Sequence, residues 1–251
     1  MYRLRTLVPL FLVLFAGQVP AALIVNAAQP ITQTVWMQPI IVSDNDGSNT
    51  ATFFGDSTQQ ATILNLIDQI WAQAGIDVNW LAANAWNNTF ANIGSATTLV
   101  ARSTGDLDTI VTTGDAAGVG STNPLVIDIY FSRAAAGFKV LDANTAAGLA
   151  FVDGNGISAY VGANLLTFQT GLEAIASVIA HEIGHNLSLA HIVDSQNLME
   201  ASMSGQRLTN TQITAALNSP LSQVPEPSTW LLVSVVLMVP ALRRRTGAFA
   251  K

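Results

Sequence analysis

All three histidines of this 251-residue chain fall within eleven consecutive residues, His181-Glu182-Ile183-Gly184-His185-Asn186-Leu187-Ser188-Leu189-Ala190-His191. None remains for any other task, so the fold must bring this run into an arrangement that uses them together. His181 and His185, four residues apart, share one helix face and can bind a single Zn²⁺, with Glu182 beside the open coordination position. His191 can supply a third imidazole if the helix stops between it and His185.

The local sequence supports such a helix. Thr170-Gly171-Leu172-Glu173 has the form of a capping box, with Thr170 as N-cap and Glu173 reaching back from N3. Leu172, Ile175, Ile179, Ile183 and Leu187 then recur at spacings of three and four, a stripe suited to face a core. His181 and His185 stand to one flank of that stripe, where they can look into a cleft. The helix is expected to end near Ser188.

The run His-Glu-x-x-His-x-x-Ser-x-x-His resembles the metzincin zinc-protease signature, and Gly184-His185-Asn186-Leu187 is similar to its reprolysin branch. The resemblance implies a glycine at the eighth motif position, where the chain turns sharply to bring the third His under the metal. Ser188 stands there instead, and a serine enters the left-handed region only at some cost because its Cβ crowds a carbonyl. Asn197-Leu198-Met199-Glu200 resembles the family's Met-turn, with Met199 as the apolar floor below the ligands and Met203 as the alternative.

The resemblance further implies one catalytic Zn²⁺ held by His181, His185 and His191, with Glu182 as the base that accepts a proton from the attacking water. The implied activity is that of a zinc metalloendopeptidase of the EC 3.4.24 type acting on a peptide or protein substrate. The substrate would lie as an added strand along a sheet edge, here Gly148-Leu149-Ala150-Phe151. The implied fold is α/β (α+β), a zincin-like twisted mixed β-sheet with the HExxH helix and a small C-terminal subdomain, over residues 30–220. A rival reading is an exported surface or matrix protein whose zinc site is inert because Asp194 or Glu200 closes it as a fourth ligand.

Both ends read as export machinery. Residues 1–22 carry Arg3 and Arg5, an apolar run over Leu7–Ala16 and then small residues, the pattern of a secretory signal peptide with cleavage after Ala21, Ala22 or Ala27. At the other end, residues 224–251, Val224-Pro225-Glu226-Pro227-Ser228-Thr229 leads into the apolar run Trp230–Leu242 and then Arg243-Arg244-Arg245. This tail resembles the PEP-CTERM sorting signal of Gram-negative bacteria, which an exosortase processes. A helix over 230–242 would cover about 20 Å of a hydrocarbon core of about 30 Å, which suits transient membrane association. The expected destination is the cell envelope, the surface or the medium.

Those two ends hold six of the ten basic residues and one of the sixteen acidic ones, leaving four basic against fifteen acidic residues and a net charge of −11 between them. Such a surface argues against nucleic-acid or anionic-membrane partners. With no cysteine in the chain, disulfides and thiolate zinc sites are excluded.

The remaining elements follow from local patterns. Strands are expected at Val35–Val42, Ile76–Leu81, Leu125–Phe131, Ala147–Val152 and Ile157–Val161, and short ones at Thr98–Arg102 and Thr109–Thr113. Helices are expected at Thr62–Ala74, before Gly75, and at Thr211–Asn218. Asp44-Asn45-Asp46-Gly47 has some character of a Ca²⁺ loop but lacks the bidentate Glu, and reads as a solvated loop. Asp153-Gly154-Asn155-Gly156 reads as a turn. Trp36, Trp71, Trp80 and Trp86 read as core.

Overall fold

The computed structural model describes residues 23–93, 104–133, 148–161, 169–201 and 205–224. A single mixed sheet is built around β1 (Gln33–Ser43), which is buried along nearly its whole length. Its first half pairs in parallel with β2 (Ile76–Trp80) and its second half with β3 (Asn84–Asn87), while β4 (Val126–Ser132) runs parallel along its other side. β6 (Ile157–Tyr160) continues in parallel, and β5 (Gly148–Ala150) closes the order β2-β1-β4-β6-β5 as the one antiparallel strand of that path.

Alternation along the strands divides the core into two layers. Val35, Met37, Ile127, Ile129 and Phe131 face α1 (Ser57–Ala72) and α4 (Gln169–Asn186). Ile40, Val42 and Tyr130 face the other way, in a smaller cluster with Trp86, with Ala91 of α2 (Thr89–Ile93) and with Ile110 of α3 (Thr104–Ala116). A strand covered on both faces is mostly apolar, as β1 and β4 are apart from buried polar residues such as Gln38 and Asp128.

The expected strand at Thr109–Thr113 is instead the middle of α3. Its β-branched composition suggests a strand, but Leu107 and Ile110 are buried one turn apart, at helical spacing. Thr112 also returns its hydroxyl to the Asp108 carbonyl at 2.7 Å, a bond that makes threonine tolerable in a helix. Thr98–Arg102 lies outside the described residues. The capping box read at Thr170–Glu173 is also corrected: α4 starts at Gln169, so Thr170 is inside its first turn. Trp71 and Trp86 are buried, while Trp36 and Trp80 are half-buried, with Trp80 against Phe53 and Phe54. The Asp44 carboxylate accepts from Asn49 Nδ2 at 2.6 Å and Asn92 Nδ2 at 2.8 Å, bonds that hold its pKa below the usual range.

α1 carries the packing partner of α4, and its start is set by a capping box. Asp56 accepts from the amides of Thr58 and Gln59 at 2.8 and 2.9 Å, and Gln59 returns a bond from the Asp56 amide. Asp56→Ala is expected to lower stability by about 1 kcal/mol, read as a lower urea midpoint with an unchanged m-value.

Candidate metal centre

α4 presents the stripe expected of it. Leu172, Ile175, Ile179, Ile183 and Leu187 are all buried, and His181 and His185 are buried on its flank. The helix ends at Asn186 through a Schellman-type turn: Leu189 N donates to Gly184 O at 2.9 Å and Ser188 N to His185 O at 3.0 Å. Ser188 takes the left-handed conformation of that motif, with φ of 70°. The turn swings the chain beneath the helix, and His191 comes back to the other two imidazoles.

His191 Nε2 lies 3.1 Å from Nε2 of His181 and 3.1 Å from Nε2 of His185. His181 Nδ1 lies 2.6 Å from Leu198 O, and His185 Nδ1 lies 2.7 Å from Leu189 O. A carbonyl can only accept, so both Nδ1 atoms carry the proton and both Nε2 atoms turn a lone pair toward His191. Three imidazole nitrogens tetrahedral about Zn²⁺ at about 2.0–2.1 Å would stand about 3.3 Å apart, and the observed spacing fits that donor set. Burial pushes the His181 pKa down to about 4 and that of His185 down as well, which keeps these rings neutral and ready to coordinate.

Among the described residues, the group of potential ligands is limited to His181, His185 and His191. Asp194 and Glu200, which would close the site in the inert reading, are not in it.

The loop after His191 carries Met199, the residue expected to floor the site. Met199 is fully buried with its sulfur against Gly184, leaving no room for a Cβ there. Met203 lies outside the described residues. Met199 N donates to Asn197 Oδ1 at 2.8 Å, and Asn197 and Gln212 exchange two amide hydrogen bonds at 2.8 and 3.0 Å. Gln212 is also the N3 residue of the capping box that starts α5 (Asn210–Asn218) from Thr209. Ile192 N donates to Met199 O at 3.0 Å, so the third histidine and the floor share one hydrogen-bonded loop. This Asn197–Gln212 pair was not apparent in the sequence, because nothing local marks two amides fifteen residues apart as partners.

Glu182 is 4 % exposed and burial pushes its pKa up to about 8. Its carboxyl lies against Gly148, where any Cβ would overlap it. The sheet edge and the acid are thus neighbours. Gly148, Leu149 and Ala150 form β5, with Phe151 just beyond its end.

The profile of the reprolysin-like M12B metallopeptidase family matches residues 58–192, more than half of the chain. No curated protein matches it. Among solved structures, the chain is similar to the archaemetzincin of Methanopyrus kandleri, with 14% identity over 74% of this chain and 88% of that one and a TM-score of 0.40. It is similar to the archaemetzincin of Archaeoglobus fulgidus in a malonate complex, with 15% identity, coverage of 72% and 99% and a TM-score of 0.43. A zinc-dependent peptidase of Methanocorpusculum labreanum gives 12% identity, coverage of 64% and 96% and a TM-score of 0.44.

Two outcomes test this geometry. Gly148→Ala should leave zinc content intact but cut peptide hydrolysis by an order of magnitude or more, since the new methyl displaces Glu182 (metal analysis beside a quenched-peptide assay). In the metal-free protein, Glu182 folds with a pKa of about 8 against an ordinary 4.5, so its contribution is fully present below pH 4.5 and lost as pH rises through 8. Glu182→Gln removes that term. Thermal unfolding should show the glutamine variant gaining on the metal-free wild type as pH rises between 4.5 and 8.

Proposed function

The chain belongs to the reprolysin-like M12B metallopeptidase family, and on that premise we propose that it is an exported zinc endopeptidase with Glu182 as its general base. The observation that carries this reading is the convergence of three Nε2 atoms, two of them with tautomers fixed by backbone carbonyls, on a helix whose next residue after His181 is the buried Glu182.

His181, His185 and His191 would hold one Zn²⁺. The ion supplies Lewis acidity, polarising the scissile carbonyl and making water a nucleophile at neutral pH. Three neutral ligands leave that site with its full positive charge, which opposes the burial that keeps Glu182 protonated and favours its carboxylate. The Glu182 carboxylate accepts a proton from the attacking water and returns it to the leaving amine. The outer edge of β5, which has no strand partner among the described residues, would offer backbone groups to an extended peptide, and Gly148 brings that edge next to Glu182. Met199 fixes the floor against which the imidazoles are held.

Residues 1–22 are proposed to direct export and residues 224–251 to act as a PEP-CTERM tail, with a short membrane segment at 230–242 that an exosortase removes. Support comes from the sequence: an under-length apolar run between a Pro-Glu-Pro segment and three arginines. Residues 1–22 and 225–251 lie outside the described residues, among which no helix is long and apolar enough to cross a membrane. The proposed location is the envelope, surface or surroundings of a Gram-negative cell.

Alanine at His181, His185 or His191 should lower zinc occupancy, whereas Glu182→Ala should keep zinc and lose at least a hundredfold in kcat on a quenched peptide library. Near wild-type turnover by Glu182→Ala would end the general-base assignment. For the tail, mass spectrometry of the protein from its native host should find residues 230–251 removed. A mature chain that retains them would mark a permanent anchor.

A further inference from the structure

Ser188 occupies the position at which the helix must break, and it does so at φ of 70° with a Cβ that this conformation disfavours. The side chain is also the compensation. Ser188 Oγ donates to Asp153 Oδ1 at 2.7 Å, and Asp153 N donates to His185 O at 3.0 Å. One residue thus grips both the last turn of the zinc-site helix and the residue that ends it. Asp153 is itself left-handed, with φ of 59°, so two non-glycine residues are held in this region side by side.

The loop that carries Asp153 is anchored at its far side. Asn155 accepts from Asp128 N at 2.9 Å and donates to Val126 O at 2.6 Å, which ties the loop to the start of β4. Asn186, the residue after the second histidine, donates to Phe151 O at 2.9 Å. The turn Asp153-Gly154-Asn155-Gly156 therefore links a central strand to the end of α4, and its position is set by the sheet rather than by solvent.

We propose that Asp153 is a positioning residue of the metal centre: its carboxylate holds Ser188 in the left-handed turn from which His191 reaches the other two imidazoles. A glycine would adopt that turn without help, and a serine there needs a partner. The inference rests on reading the three histidines as one metal site, but the clamp itself can be observed without the metal.

The test uses the full chain and the variants D153A, D153N, S188A and D153A/S188G. Zinc affinity is measured by chelator competition, ligand geometry by the visible spectrum of the Co²⁺-substituted protein, and the turn by hydrogen exchange at the Leu189 amide in metal-free protein. D153A and S188A should each weaken zinc binding about three- to tenfold, less than the roughly ten- to hundredfold that orienting residues contribute, because this bond is solvent-exposed. Both should alter the cobalt spectrum and speed Leu189 exchange. D153N should behave as wild type, since its amide oxygen still accepts. D153A/S188G should recover zinc affinity, spectrum and exchange relative to D153A, a rescue that loss of an ordinary surface bond would not produce. Wild-type affinity and spectrum in both D153A and S188A would overturn the proposal, as would D153A/S188G no better than D153A. If D153A does not fold, S188A, which leaves the Asp153 backbone in place, decides by the same readouts. A wild-type chain that binds no zinc would defeat the proposed function alone. The exchange arm would still answer: faster Leu189 exchange in D153A, reversed in D153A/S188G, supports the clamp, and unchanged exchange overturns it.

Discussion

Two backbone carbonyls decide whether the three histidines can act together. A neutral imidazole has two tautomers, and a metal site needs the lone pair on the nitrogen that faces inward. Leu198 O and Leu189 O accept from the outer nitrogens of His181 and His185 at 2.6 and 2.7 Å and so turn both lone pairs toward His191. Everything that places those carbonyls is part of the site. Leu198 sits between Asn197 and Met199 in a loop that the Asn197–Gln212 amide pair ties to α5. Leu189 is fixed by its own amide, bonded to Gly184 O across the helix end. The segment after the helix is therefore a scaffold for proton placement as much as a cover for the core.

The hydrophobic core extends into this scaffold without a break. The larger cluster joins sheet residues Val35, Ile129 and Phe131 with Ile67 and Ile70 of α1, Ile179 and Ile183 of α4, and Leu198, Met199 and Leu208 beyond the third histidine. Close packing of this kind resists small displacements, so the histidines on α4 and the loop that carries Met199 share one rigid reference. The opposite layer, around Trp86, Tyr130 and Ile110, supports the sheet but contributes no group to the site.

The sequence was informative where the chemistry is local. The i, i+4 histidines and the apolar stripe of α4 could be read from spacing, β1 and β4 from their local composition, and the turn at Ser188 from the family resemblance. The helix around Ile110 could not, because Thr109–Thr113 has β-branched composition and the packing against β4 that favours a helix is not a local property. The expected start of α4 falls two residues late, since Thr170 and Glu173 fit a motif by type without adopting it. Asp153 read as a turn residue, which it is. Its second role depends on Ser188, thirty-five residues later, and no local pattern joins the two.

The sheet edge shows how the same constraint serves two demands. An unpaired strand edge invites association with other chains, and short edge strands limit that hazard. β5 has only three residues, and among the described residues its outer side has no strand partner. A longer edge would bind extended peptides over a greater length, but it would also pair with further copies of the chain. Gly148 resolves the conflict at one point. Lacking a side chain, it lets the Glu182 carboxyl lie directly against the strand, so even a short backbone contact places a bound peptide next to the acid. On the proposed function, selectivity for a reacting bond would then come from proximity to one carboxyl rather than from the length of the groove.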